Sequence, residues 1–128
     1  MYIRQIYFWV IAYTDHFNDS ELVSIDSPED LEELHTTTTA LLIYFYTNNS
    51  GSCKIMSRII QNLELECNET IATVNVNTQE EVSRRYQIQN VPTLIIPNGS
   101  NCYTEIEGVQ TERTLKCMIR NALYRKCK

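Results

Sequence analysis

The run Leu41-Leu42-Ile43-Tyr44-Phe45-Tyr46 carries no charge and no helix or strand breaker. Apolar residues at consecutive positions, without alternation, mark a strand buried on both faces of a mainly parallel sheet. Asn48 to Ser52 then supplies a polar turn. Beyond it, Cys53, Met56, Ile60, Leu63 and Cys67 recur at steps of three and four, one apolar stripe of an amphipathic helix. A buried strand feeding an amphipathic helix through a short turn is one half of a βαβ unit, so the chain belongs to the α/β class.

Working towards the N-terminus, Ser27-Pro28-Glu29-Asp30 is a helix start: a capping hydroxyl, proline in the first turn, and acids facing the helix dipole. Leu31 and Leu34 give that helix its apolar contacts, and the β-branched run Thr36 to Thr39 ends it. Before it, Glu21 to Asp26 alternates as a strand. Towards the C-terminus, Thr70 to Val76 is a β-branched strand. Thr78-x-x-Glu81 reads as a capping box opening a helix with Val82 and Tyr86 on one face. Thr93 to Ile96 follows Pro92 as a strand, Asn98-Gly99 is a hairpin turn signal, and Cys102 to Glu107 is the partner strand, ended by Gly108. Thr111 caps a last helix whose inward residues are Leu115, Met118, Ile119, Ala122 and Leu123. The order β-α-β-α-β-α-β-β-α predicts a central mixed sheet with helices on both faces.

The segments Tyr44-Phe45-Tyr46, Asn49-Ser50-Gly51-Ser52-Cys53-Lys54 and Val91-Pro92-Thr93, with Gly108 after the hairpin, resemble the thioredoxin family over about residues 21 to 124. The resemblance implies a thioredoxin fold over residues 21–128, with residues 1–20 as an N-terminal extension. It also implies a cis bond between Val91 and Pro92, beside the Ser50–Cys53 turn. The family's reaction needs a thiolate at the helix N-terminus to attack a disulfide, and a second cysteine to resolve the mixed disulfide. Here the attacking position is Ser50, and a hydroxyl without an adjacent base is no nucleophile at neutral pH. Other positions depart too. The family's buried aspartate corresponds to Tyr44, the lysine near it to Thr73, the flanking tryptophan to Asn49, and the proline between the cysteines to Ser52.

The expectation is therefore a domain with a degenerate Ser-Gly-Ser-Cys motif. It binds protein or peptide clients through Gly51, Ser52, Val91, Pro92 and Thr93, with Ser50 replacing the nucleophile. The alternative is a weak monothiol disulfide oxidoreductase using Cys53, or else Cys102 or Cys127. Cys53 itself has two readings, a residual reactive thiol or a small apolar residue on the buried stripe with Met56 and Ile60.

Net charge narrows the partners. At −5 over 128 residues the chain has no basic excess to release counterions from nucleic acid, and Arg113 to Lys128 reads as the wet face of the last helix. The five cysteines, at 53, 67, 102, 117 and 127, are an odd number with no close pair, which argues against a zinc finger. No cofactor and no metal is expected. Cys67, Cys102 and Cys127 are expected at the pole opposite Ser50, as unpaired thiols unless two of them come within bonding distance. The apolar run Ile6 to Tyr13 is too short to span a bilayer and is compatible with a short secretory signal, a membrane tether or an extra strand. Cytoplasmic and secretory settings both stay open.

Overall fold

The structure is a computed structural model that describes residues 21–38, 40–63, 69–99 and 102–124. The readings placed on residues 1–20, Cys67 and Cys127 lie outside them. The elements are β1 (Glu21–Ser24), α1 (Pro28–Thr37), β2 (Leu41–Tyr46), α2 (Gly51–Gln61), β3 (Thr70–Asn75), α3 (Glu80–Arg85), β4 (Thr93–Gly99), β5 (Cys102–Glu107) and α4 (Glu112–Tyr124). The sheet order is β1-β3-β2-β4-β5, with the first three strands parallel and the last two antiparallel.

β2 at the centre explains its own sequence. Leu42 and Tyr44 face one layer, packed with Met56 and Ile60 of α2 and Leu115 and Ile119 of α4. Leu41, Ile43 and Phe45 face the other, with Leu31 of α1 and Val82 of α3. Side chains alternate across a strand, so a strand covered by helices on both faces is apolar at every position.

Local chemistry sets the helix ends. Ser27 accepts the Asp30 N–H at 3.3 Å as the α1 cap, and Thr36 and Thr37 both donate back to the Glu33 carbonyl, at 2.8 and 2.9 Å, in the last turn. Thr111 caps α4 by accepting the Thr114 N–H at 3.2 Å.

Besides Met118, which is 37% exposed and not turned inward from α4 as expected, three expectations need correcting. The Thr78–Glu81 capping box does not form: α3 starts at Glu80 after Gln79, whose side chain makes no cap bond. Asn75 captures the turn instead, its side chain accepting the Asn77 N–H at 2.9 Å while the Thr78 hydroxyl donates to the Asn75 carbonyl at 3.3 Å. Asn98 and Gly99 lie within β4, which runs past Ile96. The Asn98 amide and the Thr104 hydroxyl are hydrogen-bonded across the pair at 2.8 Å, and Gly99, at φ +138, pairs with Cys102. The turn signal was thus displaced by the strand-to-strand bonding of its own asparagine. Third, Cys102 is disulfide-bonded, where an unpaired thiol was expected, and its partner lies outside the described residues. Sequence alone does not show which Cα atoms the topology brings within bonding distance. Its pole is as expected: β4 enters beside Phe45 and the hairpin closes at the far end of the sheet.

α1 and α3 are tied across their outer surfaces. His35 Nε2 and the Tyr86 hydroxyl are 3.1 Å apart, and Arg85 reaches Glu32 at 3.6 Å. Partial burial and then the Arg85 guanidinium hold the His35 pKa below its ordinary 6.5. The folded chain therefore binds this proton less readily than the unfolded chain. The contribution of neutral His35 is complete above about pH 6.5 and is lost as pH falls through the lowered folded-state value. Urea midpoints measured from pH 7.5 to 5 should fall for the native chain and fall less for His35→Gln. Parallel curves would remove His35 from the account.

Candidate functional site

The turn between β2 and α2 is built by Ser50. It sits in extended conformation, φ −108 and ψ 128, and its hydroxyl accepts the Cys53 N–H at 3.2 Å while its carbonyl accepts the Lys54 N–H at 3.1 Å. Ser50, expected from the sequence resemblance at the attacking position, is thus the N-cap of α2, satisfying an amide that would otherwise lack a partner. Ser50→Ala should cost about 1 kcal/mol of stability, while Ser50→Asp, another good cap, should not. Chemical denaturation of the two variants distinguishes this capping role from mere proximity.

Gly51 and Ser52 are exposed at the tip, and a side chain at Gly51 would meet nothing within 4 Å. Cys53, by contrast, is only 1% exposed and lies on the inward side of α2 with Met56 and Ile60. The buried-stripe reading of this thiol matches that burial.

Beneath the turn stands Tyr44, also buried. Its hydroxyl donates to the Cys53 carbonyl at 3.2 Å and is 2.9 Å from the Ser57 hydroxyl. Burial is the main reason its pKa is pushed up to about 12, the hydrogen bond with Ser57 opposing the shift. The phenol therefore stays protonated at any physiological pH and works as a fixed donor, with no proton to relay. Thr73, opposite Tyr44 in the β2–β3 register, spends its hydroxyl proton on the Val23 carbonyl at 3.5 Å. Ser57 escaped the sequence reading. The signal that could have found it is its place four residues after Cys53, one helical turn further along the same face.

The second wall comes from the start of β4. The Val91–Pro92 peptide bond is cis, Pro92 is buried and Val91 half-buried. Thr93 is opposite Phe45, so Pro92 lies beside the end of β2 from which the Ser50 turn leaves. The Gly108 N–H donates to the Pro92 carbonyl at 2.8 Å, with Gly108 at φ +82, a conformation glycine adopts without steric cost. The Thr93 hydroxyl holds the Asn90 carbonyl at 2.6 Å. Ile55, 56% exposed, and Val109, 43% exposed, leave apolar surface on α2 and after Gly108.

Among the described residues no cluster of three His, Cys, Asp or Glu side chains could hold a metal ion, and no helix is long and apolar enough to cross a membrane.

The profile of the thioredoxin family matches residues 23–121. The chain belongs to the thioredoxin family. Its curated relatives include thioredoxin Y of the rice chloroplast, 32% identical over 72% of this chain and 56% of that protein. Another is the bifunctional thioredoxin reductase/thioredoxin of Mycobacterium leprae, 23% identical over 84% of this chain. The match spans only 24% of the mycobacterial protein, and a thioredoxin of Chlamydia pneumoniae is matched over 96% of its length at 24% identity. Among solved structures, a mutant thioredoxin from Halobacterium salinarum NRC-1 superposes with a TM-score of 0.72 at 20% identity, covering 84% of this chain and 95% of that one. A reduced thioredoxin pre-protein of Schistosoma mansoni gives 0.70 at 23% identity, covering 80% and 98%. The thioredoxin fold is thereby shown. Within it, the turn between β2 and α2 carries Ser50 as the helix cap and Cys53 buried on the helix's inward face.

Proposed function

We propose that this thioredoxin-like domain binds protein or peptide clients without redox turnover, through Gly51 and Ser52 on one side and Val91, Pro92 and Thr93 on the other. The observation that carries the reading is the pairing of roles at the turn: Ser50 is committed to the Cys53 amide, and Cys53 is buried. Neither atom is free to attack a disulfide. The surface beside them supports binding, because extended peptides dock through main-chain hydrogen bonds and shallow apolar contacts, and neither needs a thiol. Exposed Ile55 and Val109 supply such contacts.

A photoreactive residue placed at Ser52 tests this. Crosslinks to client protein should form there and be lost on Val91→Asp, and the same probe at Tyr103, on the β4–β5 hairpin, should capture none of those clients. Crosslinks that survive Val91→Asp would show that the groove is not the contact.

The monothiol alternative is tested separately by thiol labelling and turnover. Cys117 is an exposed free thiol and Cys53 a buried one, so alkylation of the native chain followed by peptide mapping should modify Cys117 long before Cys53. Insulin-type disulfide reduction should be absent. Turnover that vanishes on Cys53→Ser would establish the oxidoreductase instead.

A further inference from the structure

Ser24, Thr73 and Tyr44 form a row across three adjacent parallel strands, Ser24 and Tyr44 each facing Thr73 in register. Together with Tyr46, Ser57 and Gln61 they line a cavity of about 320 Å³ under α2, on the side of the sheet away from β4. Leu22 and Ile60 complete its apolar walls. Among the described residues no lining side chain is charged. The Tyr44 and Tyr46 rings stack at 5.7 Å with planes 12° apart, and Tyr46 is only partly buried. Tyr44, Ser57 and Thr73 are occupied by the hydrogen bonds already described. Among the described residues, the Ser24 and Tyr46 hydroxyls and the Gln61 amide make none, so three polar groups are free for a ligand.

We propose that this cavity is a binding site for a small uncharged planar molecule, a single aromatic ring with an amide or hydroxyl on its edge, stacked on Tyr46. Three features set that class. The volume lies at the lower limit of ligand pockets, which suits one ring. The aromatic wall favours an offset-stacked planar partner. Among the described residues the lining offers no charged group, which penalises an ion that would lose water and gain no counter-charge. The open donors and acceptors of Ser24, Tyr46 and Gln61 supply the edge contacts. The site shares no residue with the client groove, and Tyr44 links the two only through its hydroxyl, which donates to the Cys53 carbonyl from below.

The probe is benzamide, titrated into the full chain and followed by amide resonances, with benzoate and cyclohexanecarboxamide as charged and non-planar controls. Saturable shifts should be confined to Ser24, Tyr46, Ser57, Gln61 and Thr73, with both controls weaker by about tenfold or more, the ratio expected for one lost contact. Tyr46→Ala and Gln61→Leu should each weaken benzamide by about the same factor while leaving the remaining resonances in place. The proposal is overturned by a linear response that never saturates, which means binding at high concentration only. It is equally overturned by equal affinity for benzoate, by shifts centred elsewhere, or by no shifts at all. None of these outcomes bears on crosslinking at Ser52, so the two sites stand or fall separately.

Discussion

Ser50→Cys should yield a protein that forms a 50–53 disulfide on oxidation and reduces disulfides measurably, yet about 10²–10⁴ more slowly than an ordinary thioredoxin. Residues three apart across the first turn of a helix are neighbours, so two thiols at 50 and 53 can meet bonding geometry. A thiol at residue 50 would stand where Ser50 now receives the Cys53 N–H, at the positive end of α2, and the same amide and dipole would favour its thiolate. Attack is therefore restored. Resolution is not, because the group beneath Cys53 is a phenol that keeps its proton to about pH 12 and offers no base. General acid–base assistance is commonly worth a factor of about 10²–10⁴, which sets the shortfall. Thiol titration before and after oxidation, alongside insulin reduction and a Ser50→Cys, Cys53→Ser control, reads both steps. Failure of the two cysteines to pair would contradict the placement of Ser50 at the helix start. Full activity would show that proton relay is dispensable here.

Restoring the carboxylate alone should be costly. Tyr44→Asp is expected to lower stability by about 3–5 kcal/mol at pH 7, since it both removes a buried ring and places an unpaired charge among Met56, Ile60 and Leu94. The two parts separate by pH. A buried carboxyl without a counter-charge has its folded-state pKa raised above the unfolded value of about 3.9. Below about pH 4 both states hold the proton and only the ring loss remains. As pH rises through the raised folded value, the charge penalty is added in full. Urea midpoints at pH 4 and pH 7 should therefore show a smaller deficit, relative to native, at the lower pH. Equal deficits would mean that the carboxylate finds a cation or water, and the cavity under α2 would then be wetter than its lining suggests. Adding Tyr44→Asp to Ser50→Cys should raise turnover if the double variant still folds, tying activity to the proton and not to the thiol alone.

The sequence disclosed the layers and the order of elements because β2 and α2 follow their periodicities closely. Every residue of Leu41 to Phe45 is buried, and Cys53, Met56 and Ile60 share one helix face. What it concealed were features decided by competition between neighbours. Asn75 outbids Thr78 for the turn before α3, and Asn98 bonds within the hairpin that it was expected to turn. The cysteine at 102 was visible as a residue but not as a bonded one, since pairing depends on distances that only the folded topology sets. At Ser50 the residue type was legible, a hydroxyl and not a thiol, but its role as the cap of α2 was not. The partnership of Tyr44 with Ser57 was not, because it joins a strand to a helix across thirteen residues with no local pattern to announce it.

The cap at Ser50 also ranks the variants that could arise there. Serine is among the best residues at a helix start, so in a domain that binds without redox turnover, as proposed above, this position serves stability and not reactivity. Cysteine there would exchange a well-matched cap for a thiol whose attack the helix end favours but whose resolution Tyr44 does not assist. A single Ser50→Cys change is then expected to gain little activity and forfeit some stability: the turn and the residue beneath it would have to change together to supply thioredoxin-type chemistry.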